Sequence, residues 1–323
     1  MTSPATALLF PGQGSQEPGM GRDLADADAA IMDLWKRAEK ISGLPLREIY
    51  WEGDTKDTSV LAAQADTRSL QPALTVVNLS VFLSLAPQCM ALAPLPCVAG
   101  HSLGEFSALA ASQALAVDDV LELVALRGRL MAEADPAGKG GMAAVVKLPR
   151  EDVEAMVAST RNALGKELLV ANYNSPAQYV VSGEKDAVEA LAPLAKERKG
   201  RLLMLAVSGA FHSPLMAEAN KELAGVMQKR SWNTPKLPVF SNVTGGKIAD
   251  ADGLKTAMLQ QMVSPVRWIE LVQAMWSDGR RRFLELGPKN VLAKLVQGNL
   301  TADTASYEVC SIGTREAVAS LAL

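Results

Sequence analysis

Apolar residues fall along this chain in two rhythms. Residues 5–10 (ATALLF) form an unbroken apolar run ending at the turn signal PGQG, the pattern of a buried parallel strand. Helical periodicity follows over about 26–42. In the apolar stretch 73–99, Leu74, Val77, Val81 and Leu85 recur at three- and four-residue spacing, with Pro72 read as opening the helix, where its missing N–H costs nothing. A strand at about 95–99, a glycine-flanked turn and a helix over about 103–111 continue the alternation, which predicts α/β architecture on a parallel sheet. Pro87, Pro94 and Pro96 cut the apolar stretch below the ~20 residues of a membrane span, and residues 1–14 lack the basic start and long apolar core of a signal peptide. The expectation is a soluble protein.

The rhythm changes at the loop PAGKGG (136–141). MAAVVKL reads as a strand, 150–163 as a helix, ELLVANY and AQYVVSG as two strands joined around Ser175-Pro176, 185–196 as a helix and RLLMLAV as a strand. That order is β-α-β-β-α-β, the split pattern of a ferredoxin-like unit. Helices then follow at about 214–229 and 252–262, and strands at about 237–241 and 282–286 could complete the first sheet. The predicted organisation is a large α/β subdomain from 1–137 and 207–323, interrupted by a small ferredoxin-like subdomain at 138–206, with a cleft between them.

Composition narrows the function. Of 323 residues, 49% are hydrophobic and 21% charged, which excludes a disordered or coiled-coil chain. Lys+Arg 32 against Asp+Glu 35 leaves a formal charge of -3, so nothing global favours nucleic acid or an anionic membrane. Cys89, Cys97 and Cys310 lack metal-ligand spacing and do not make a disulfide framework; a reducing cytoplasm is expected, and no metal site.

GHSLG (100–104) is a Gly-x-Ser-x-Gly pentapeptide, a pattern that chance supplies in about one in ten chains of this length. Its position between an apolar strand and an amphipathic helix matters more. A strained strand-to-helix turn there lifts the Ser102 hydroxyl above the sheet edge and turns a helix N-terminus toward a developing oxyanion. The plainer alternative is a tight turn with a capping serine. A nucleophilic serine needs a base, and the chain holds only His101 and His212. His101 adjoins Ser102, so their side chains should diverge; His212, in the loop SGAFHSP, is the candidate. No acidic residue announces itself as a third member.

Val120, Val124, Arg127 and Met131 form one helical stripe, so Arg127 interrupts an apolar face. A buried guanidinium requires an anion, either an internal carboxylate or a substrate carboxylate held bidentately. The loop PGQGSQ lacks a third glycine and a following Gly-Lys-Ser/Thr, which argues against phosphate binding; it is read instead as offering a backbone N–H to an oxyanion. The basic run KERKGR (196–201) reads as a solvated face or else a partner patch.

Seven segments taken together, FPGQGSQ (10–16), QPAL (71–74), AGHSLGEFSAL (99–109), RGRLM (127–131), NYNSPAQYVVSG (172–183), AFHSPLM (210–216) and FLELGP (283–288), resemble the malonyl-CoA:acyl-carrier-protein transacylase family. The motifs run in family order along nearly the whole chain. The resemblance implies an α/β-hydrolase-like large subdomain with a ferredoxin-like insertion, and ping-pong transfer of malonyl from coenzyme A through a seryl enzyme to the phosphopantetheine thiol of acyl carrier protein. It makes Ser102 the nucleophile, His212 the base, and the backbone N–H groups of Gln13 and Leu103 the oxyanion hole. Arg127 would clamp the malonyl carboxylate. A glutamine carbonyl would orient the histidine; Gln261 fits best, with Gln260 beside it. Asn172 or Asn174 would approach the site from the small subdomain, while Leu103 and Phe211 resemble malonyl-selecting residues. The implied partners are malonyl-CoA and acyl carrier protein, without cofactor, nucleic acid or membrane, in a cytoplasmic monomer serving fatty acid synthesis. A polyketide or malonate-decarboxylating system, or a serine hydrolase on the same elbow, are the alternatives.

Overall fold

The computed structural model describes residues 4–53, 57–207, 209–301 and 306–321. The chain opens with β1 (Thr6–Phe10), α1 (Arg22–Ala27), α2 (Ala29–Ser42), α3 (Thr58–Ala65) and the long α4 (Thr67–Met90). β2 (Cys97–Gly100), α5 (Gly104–Ala111) and α6 (Val117–Glu133) follow. Next come β3 (Gly140–Val146), α7 (Arg150–Leu164), β4 (Leu168–Ser175), β5 (Gln178–Glu184), α8 (Lys185–Glu189), α9 (Leu191–Glu197) and β6 (Arg201–Met204). The remainder is α10 (Ala217–Met227), β7 (Val239–Ser241), β8 (Gly246–Ile248), α11 (Ala251–Gln260), α12 (Trp268–Ser277), β9 (Arg282–Leu286), α13 (Val291–Asn299), β10 (Glu308–Ile312) and α14 (Arg315–Ser320).

The strands form two separate sheets. A six-stranded sheet runs β10-β9-β1-β2-β7-β8, parallel throughout except for the closing β7–β8 pair. Along β1, Leu8 and Phe10 enter one apolar cluster with α4 and α6, whereas Ala7 and Leu9 enter another with α12 and α13; helices thus cover both faces. The second sheet is antiparallel, in the order β4-β5-β3-β6. Within this βαββαβ run the spatial order is second, third, first, fourth strand, that of a ferredoxin-like unit. Its pleat sorts β3 cleanly: Ala143 and Val145 pack under the helices, while Met142 and Ala144 point to a cavity shared with the large sheet. One isolated parallel bridge, Asn172 with Val266, ties β4 to the segment before α12, the Tyr173 N–H donating to the Val266 carbonyl and the Val266 N–H to the Ala171 carbonyl.

Two sequence expectations give way here. The helix expected to open at Pro72 begins at Thr67, because the Asp66 carboxylate accepts from the Arg68 N–H and caps it five residues earlier. Pro72 and Pro87 then lie inside α4, each forfeiting one backbone hydrogen bond, a loss offset by burial of the whole stretch from Ser69 to Phe82. The prolines therefore do not cut the helix. By length and composition α4 could cross a bilayer, yet 67% of the qualifying window is buried within the protein. The periodic run at 26–42 is also two helices, broken at Asp28, whose carboxylate caps the second through the Ala30 N–H.

Candidate active site

β1 and β2 end side by side, Phe10 opposite Gly100, so the loops after them emerge together at the carboxyl edge of the sheet. Ser102 sits in that second loop with φ at 50°, a left-handed conformation that costs a non-glycine residue of order 1–3 kcal/mol. Close packing imposes it. A Cβ on Gly100 would lie 2.0 Å from the Gly104 carbonyl carbon, and one on Gly104 would lie 1.9 Å from the Phe10 oxygen. The turn is clamped from β7's end by Asn242, whose Oδ1 accepts from the Ser102 N–H at 2.7 Å while its Nδ2 donates to the Gly100 carbonyl at 2.6 Å.

The Ser102 hydroxyl lies 2.7 Å from His212 Nε2. His212 Nδ1 faces two carbonyl oxygens, that of Gln261 at 3.1 Å and that of Ser264 at 3.0 Å. Two acceptors require the proton on Nδ1, which leaves the Nε2 lone pair aimed at the hydroxyl, the tautomer a general base needs. Burial first, then the positive charge of Arg127, holds the imidazole pKa down at about 3, so it is neutral at physiological pH. Of the two candidate glutamines it is Gln261, buried, whose carbonyl faces His212, while Gln260 is exposed.

Arg127 is 1% exposed and pairs with no carboxylate among the described residues. Its Nη1 donates to Gln71 Oε1 at 2.9 Å, and its Nη2 donates to Ser102 Oγ at 3.1 Å and to Gln261 Oε1 at 3.3 Å. Nε has no acceptor. Desolvation lowers the guanidinium pKa to about 10 against the opposing pull of Glu105, and it remains charged. A charged guanidinium fork beside a serine hydroxyl has the chemistry to receive a planar anion.

These groups open on a cavity of about 340 Å³. Gln13, Ser102, Leu103, Arg127, Phe211 and His212 line it from the large sheet. Both Asn172 and Asn174 line it from β4, so the small sheet offers two asparagines, not one. Asn174 Oδ1 accepts from His101 Nε2 at 2.8 Å; His101 thus diverges from Ser102 as expected, yet still lines the cavity. Among the described residues the Gln13 and Leu103 N–H groups have no internal acceptor, and a Cβ on the intervening Gly12 would lie 3.6 Å from the Leu103 nitrogen. Gln13 and Leu103 both line the cavity together with Ser102. Among the described residues no cluster of three His, Cys, Asp or Glu side chains could hold a metal ion.

Sequence reasoning missed three side chains. Gln71, within QPAL, holds Arg127; Asn242, far along the chain, holds the elbow; and Glu105, at the first turn of α5, is buried at 1% exposure behind both. The only available signal was composition, since glutamine, asparagine and glutamate in otherwise apolar segments are rarely buried without partners.

A half-buried serine hydrogen-bonded to a buried histidine, beside a buried guanidinium on one cavity, is the arrangement of an acyl-transferring enzyme. The chain belongs to the acyl transferase domain family, whose model matches residues 7–319. It is similar to the malonyl CoA-acyl carrier protein transacylase of Haemophilus influenzae, with 37% identity over 310 residues, 93% of this chain and 96% of that protein. The Bacillus subtilis protein of the same name is 36% identical over 90% of this chain and 89% of its own length. Among solved structures, the malonyl-CoA:acyl carrier protein transacylase of Xanthomonas oryzae superposes with a TM-score of 0.88 at 33% identity, covering 99% of this chain and 98% of that one. A malonyl-transacylase in complex with a type II polyketide acyl-carrier protein matches equally, TM-score 0.88 at 31% identity over 98% of both chains.

Proposed function

We propose that the protein transfers a malonyl group from malonyl-CoA, through an ester on Ser102, to the phosphopantetheine thiol of an acyl carrier protein, in fatty acid synthesis. The observation that carries this reading is Arg127, a buried guanidinium with no carboxylate partner among the described residues, whose Nη2 lies 3.1 Å from Ser102 Oγ. An ordinary hydrolase has no use for a cation in its acyl pocket, nor a His held by carbonyls in place of an acid.

His212 Nε2 takes the Ser102 proton as Oγ attacks the thioester carbonyl. The tetrahedral oxyanion is held by the N–H groups of Gln13 and Leu103 at the head of α5. Collapse breaks the C–S bond, and the imidazolium returns its proton to the departing coenzyme A sulfur. In the second half-reaction His212 removes the proton of the carrier's thiol, the sulfur attacks the ester, and Ser102 leaves with that proton. The Gln261 and Ser264 carbonyls stabilise the imidazolium formed in each half. Arg127 grips the malonyl carboxylate throughout, and that pairing weakens the field that depresses His212, so the correct donor strengthens its own base. Asn172 and Phe211 bound the acyl pocket, Phe211 restricting branching beside the malonyl carbon. No cofactor beyond the two thiol-bearing substrates takes part.

The division into 1–137 with 207–323 around 138–206 is supported by β3 to β6 pairing with one another, bridged elsewhere only by Asn172–Val266 among the described residues. A cytoplasmic setting is consistent with three free cysteines, two of them buried. The test is brief exposure to malonyl-CoA followed by peptide mass mapping. One malonyl group is expected on Ser102 and none on the Ser102→Ala protein; a label on Cys310 with Ser102 unmodified would overturn the reading.

A further inference from the structure

Among the described residues two carboxylates are fully buried, Glu105 and Glu285. Glu285 accepts from the Leu292 and Ala293 N–H groups and so caps α13. Glu105 has no such local task. Its Oε1 accepts from the Asn242 N–H at 3.1 Å, and Asn242 holds the Ser102 turn. Its Oε2 accepts from Gln261 Nε2 at 3.2 Å, and Gln261 offers its backbone carbonyl to His212 and its Oε1 to Arg127. One carboxylate is therefore a single residue away from the nucleophile, the base and the guanidinium.

The spacing from Arg127 is informative. A buried Glu and Arg kept for scaffold would pair directly, because burial penalises each charge alone. Here the Gln261 amide stands between them, donating to the carboxylate and accepting from the guanidinium. Arg127 gains a counter-charge through the amide, while its Nε–H is left unaccepted.

We propose that Glu105 is a positioning residue that serves as the counter-charge of Arg127 while the acyl pocket is empty, and that it takes up one proton from solvent when a substrate carboxylate assumes that role. This rests on the reading of Arg127 as the partner of the malonyl carboxylate. Burial already pushes the Glu105 carboxyl up to about 7, with Ser241, Gln261, the Asn242 N–H and the Arg127 charge pulling the other way. Arg127 from α6 is the charged group that acts on it; β7 and the turn at Gln261 contribute neutral groups, and His101 and His212 are both held toward their neutral forms. A malonyl carboxylate on Arg127 cancels the one favourable charge, and desolvation then favours the acid form. The Ser241 hydroxyl beside it can turn from donor to acceptor and receive the new O–H.

Binding that consumes a proton weakens as pH rises, by up to about tenfold per unit. Acetyl-CoA lacks the carboxylate but shares every other ionising group of the donor, so the ratio of malonyl to acetyl kcat/KM isolates the effect. That ratio should fall on the order of fivefold between pH 6.5 and 8.5 in the native protein and stay flat in Glu105→Gln. Separately, a pH indicator in weakly buffered solution should record proton uptake when malonyl-CoA, but not acetyl-CoA, binds the Ser102→Ala protein near pH 7; this needs no change at position 105. A slope that persists in Glu105→Gln, a flat native ratio, or no proton uptake would each overturn the proposal, and a purely structural Glu105 would depress both donors alike without touching the slope. Arg127→Ala separates the premise: if it keeps the malonyl preference, the Arg127 reading fails, whereas loss of preference there with a flat native ratio removes only the role of Glu105.

Discussion

On the large-sheet side of the cavity Ser102, His212 and Arg127 each engage two or more polar partners, and those partners are themselves held by Glu105, Asn242 and Gln71. On the small-sheet side Met142, Ala144, Val180 and Leu205 present apolar surface, with Asn172, Asn174 and Gln178 as polar exceptions. The first wall is a connected hydrogen-bond network, and the second is a mostly apolar surface. The proposed function assigns electrostatic work to the first side and positioning to the second.

The contrast is tested hardest at His212. His212→Ala should slow acylation by both malonyl-CoA and acetyl-CoA about 10²–10⁴-fold, as loss of a general base typically does; stopped-flow acylation at neutral pH checks it, and a near-native rate removes the base from the first wall. Arg127→Ala should cost malonyl transfer roughly 2–5 kcal/mol, leave acetyl transfer unchanged or faster, and shift the preference at least tenfold. Lysine should rescue only in part, for want of the two-donor fork. Equal losses for both donors would make Arg127 a brace and merge the two walls into one scaffold. Asn174→Ala, on the second wall, deletes one hydrogen bond to His101 and should raise KM by a few-fold with kcat nearly intact, about 1 kcal/mol. A larger fall in kcat than in affinity would show that the second wall takes part in the chemistry.

The sequence disclosed the first wall unevenly. The Ser102 turn was legible because the Gly-x-Ser-x-Gly pentapeptide falls between an apolar strand and a helix, although that helix, expected to be amphipathic, is buried at every position of α5; Arg127 was legible because the stripe Val120, Val124, Arg127, Met131 is buried along its length. The βαββαβ order was legible because short apolar runs, MAAVVKL, ELLVANY, AQYVVSG and RLLMLAV, are separated by turn signals and helical stretches. Glu105 and Asn242 were not, since a glutamate in the first turn of a helix reads as a solvated complement to the helix dipole, and its partner lies 137 residues away. α13 was missed for a related reason: nine residues carry barely two turns of pattern, and its N-terminus is fixed by Glu285 from the preceding strand. The misplaced start of α4 came from weighing Pro72 above the Asp66 cap.

The single bridge between Asn172 and Val266 has a consequence for recombination. The backbone that meets β4 at Val266 begins at Gln261 and Ser264, whose carbonyls hold the His212 proton. A chimera that imports the small unit from a relative by cutting at its outer loops would therefore present foreign backbone to the segment that sets the tautomer of the base. Grafts that carry 261–266 along with the small unit should keep their turnover, and grafts that leave it behind should lose rate while still folding.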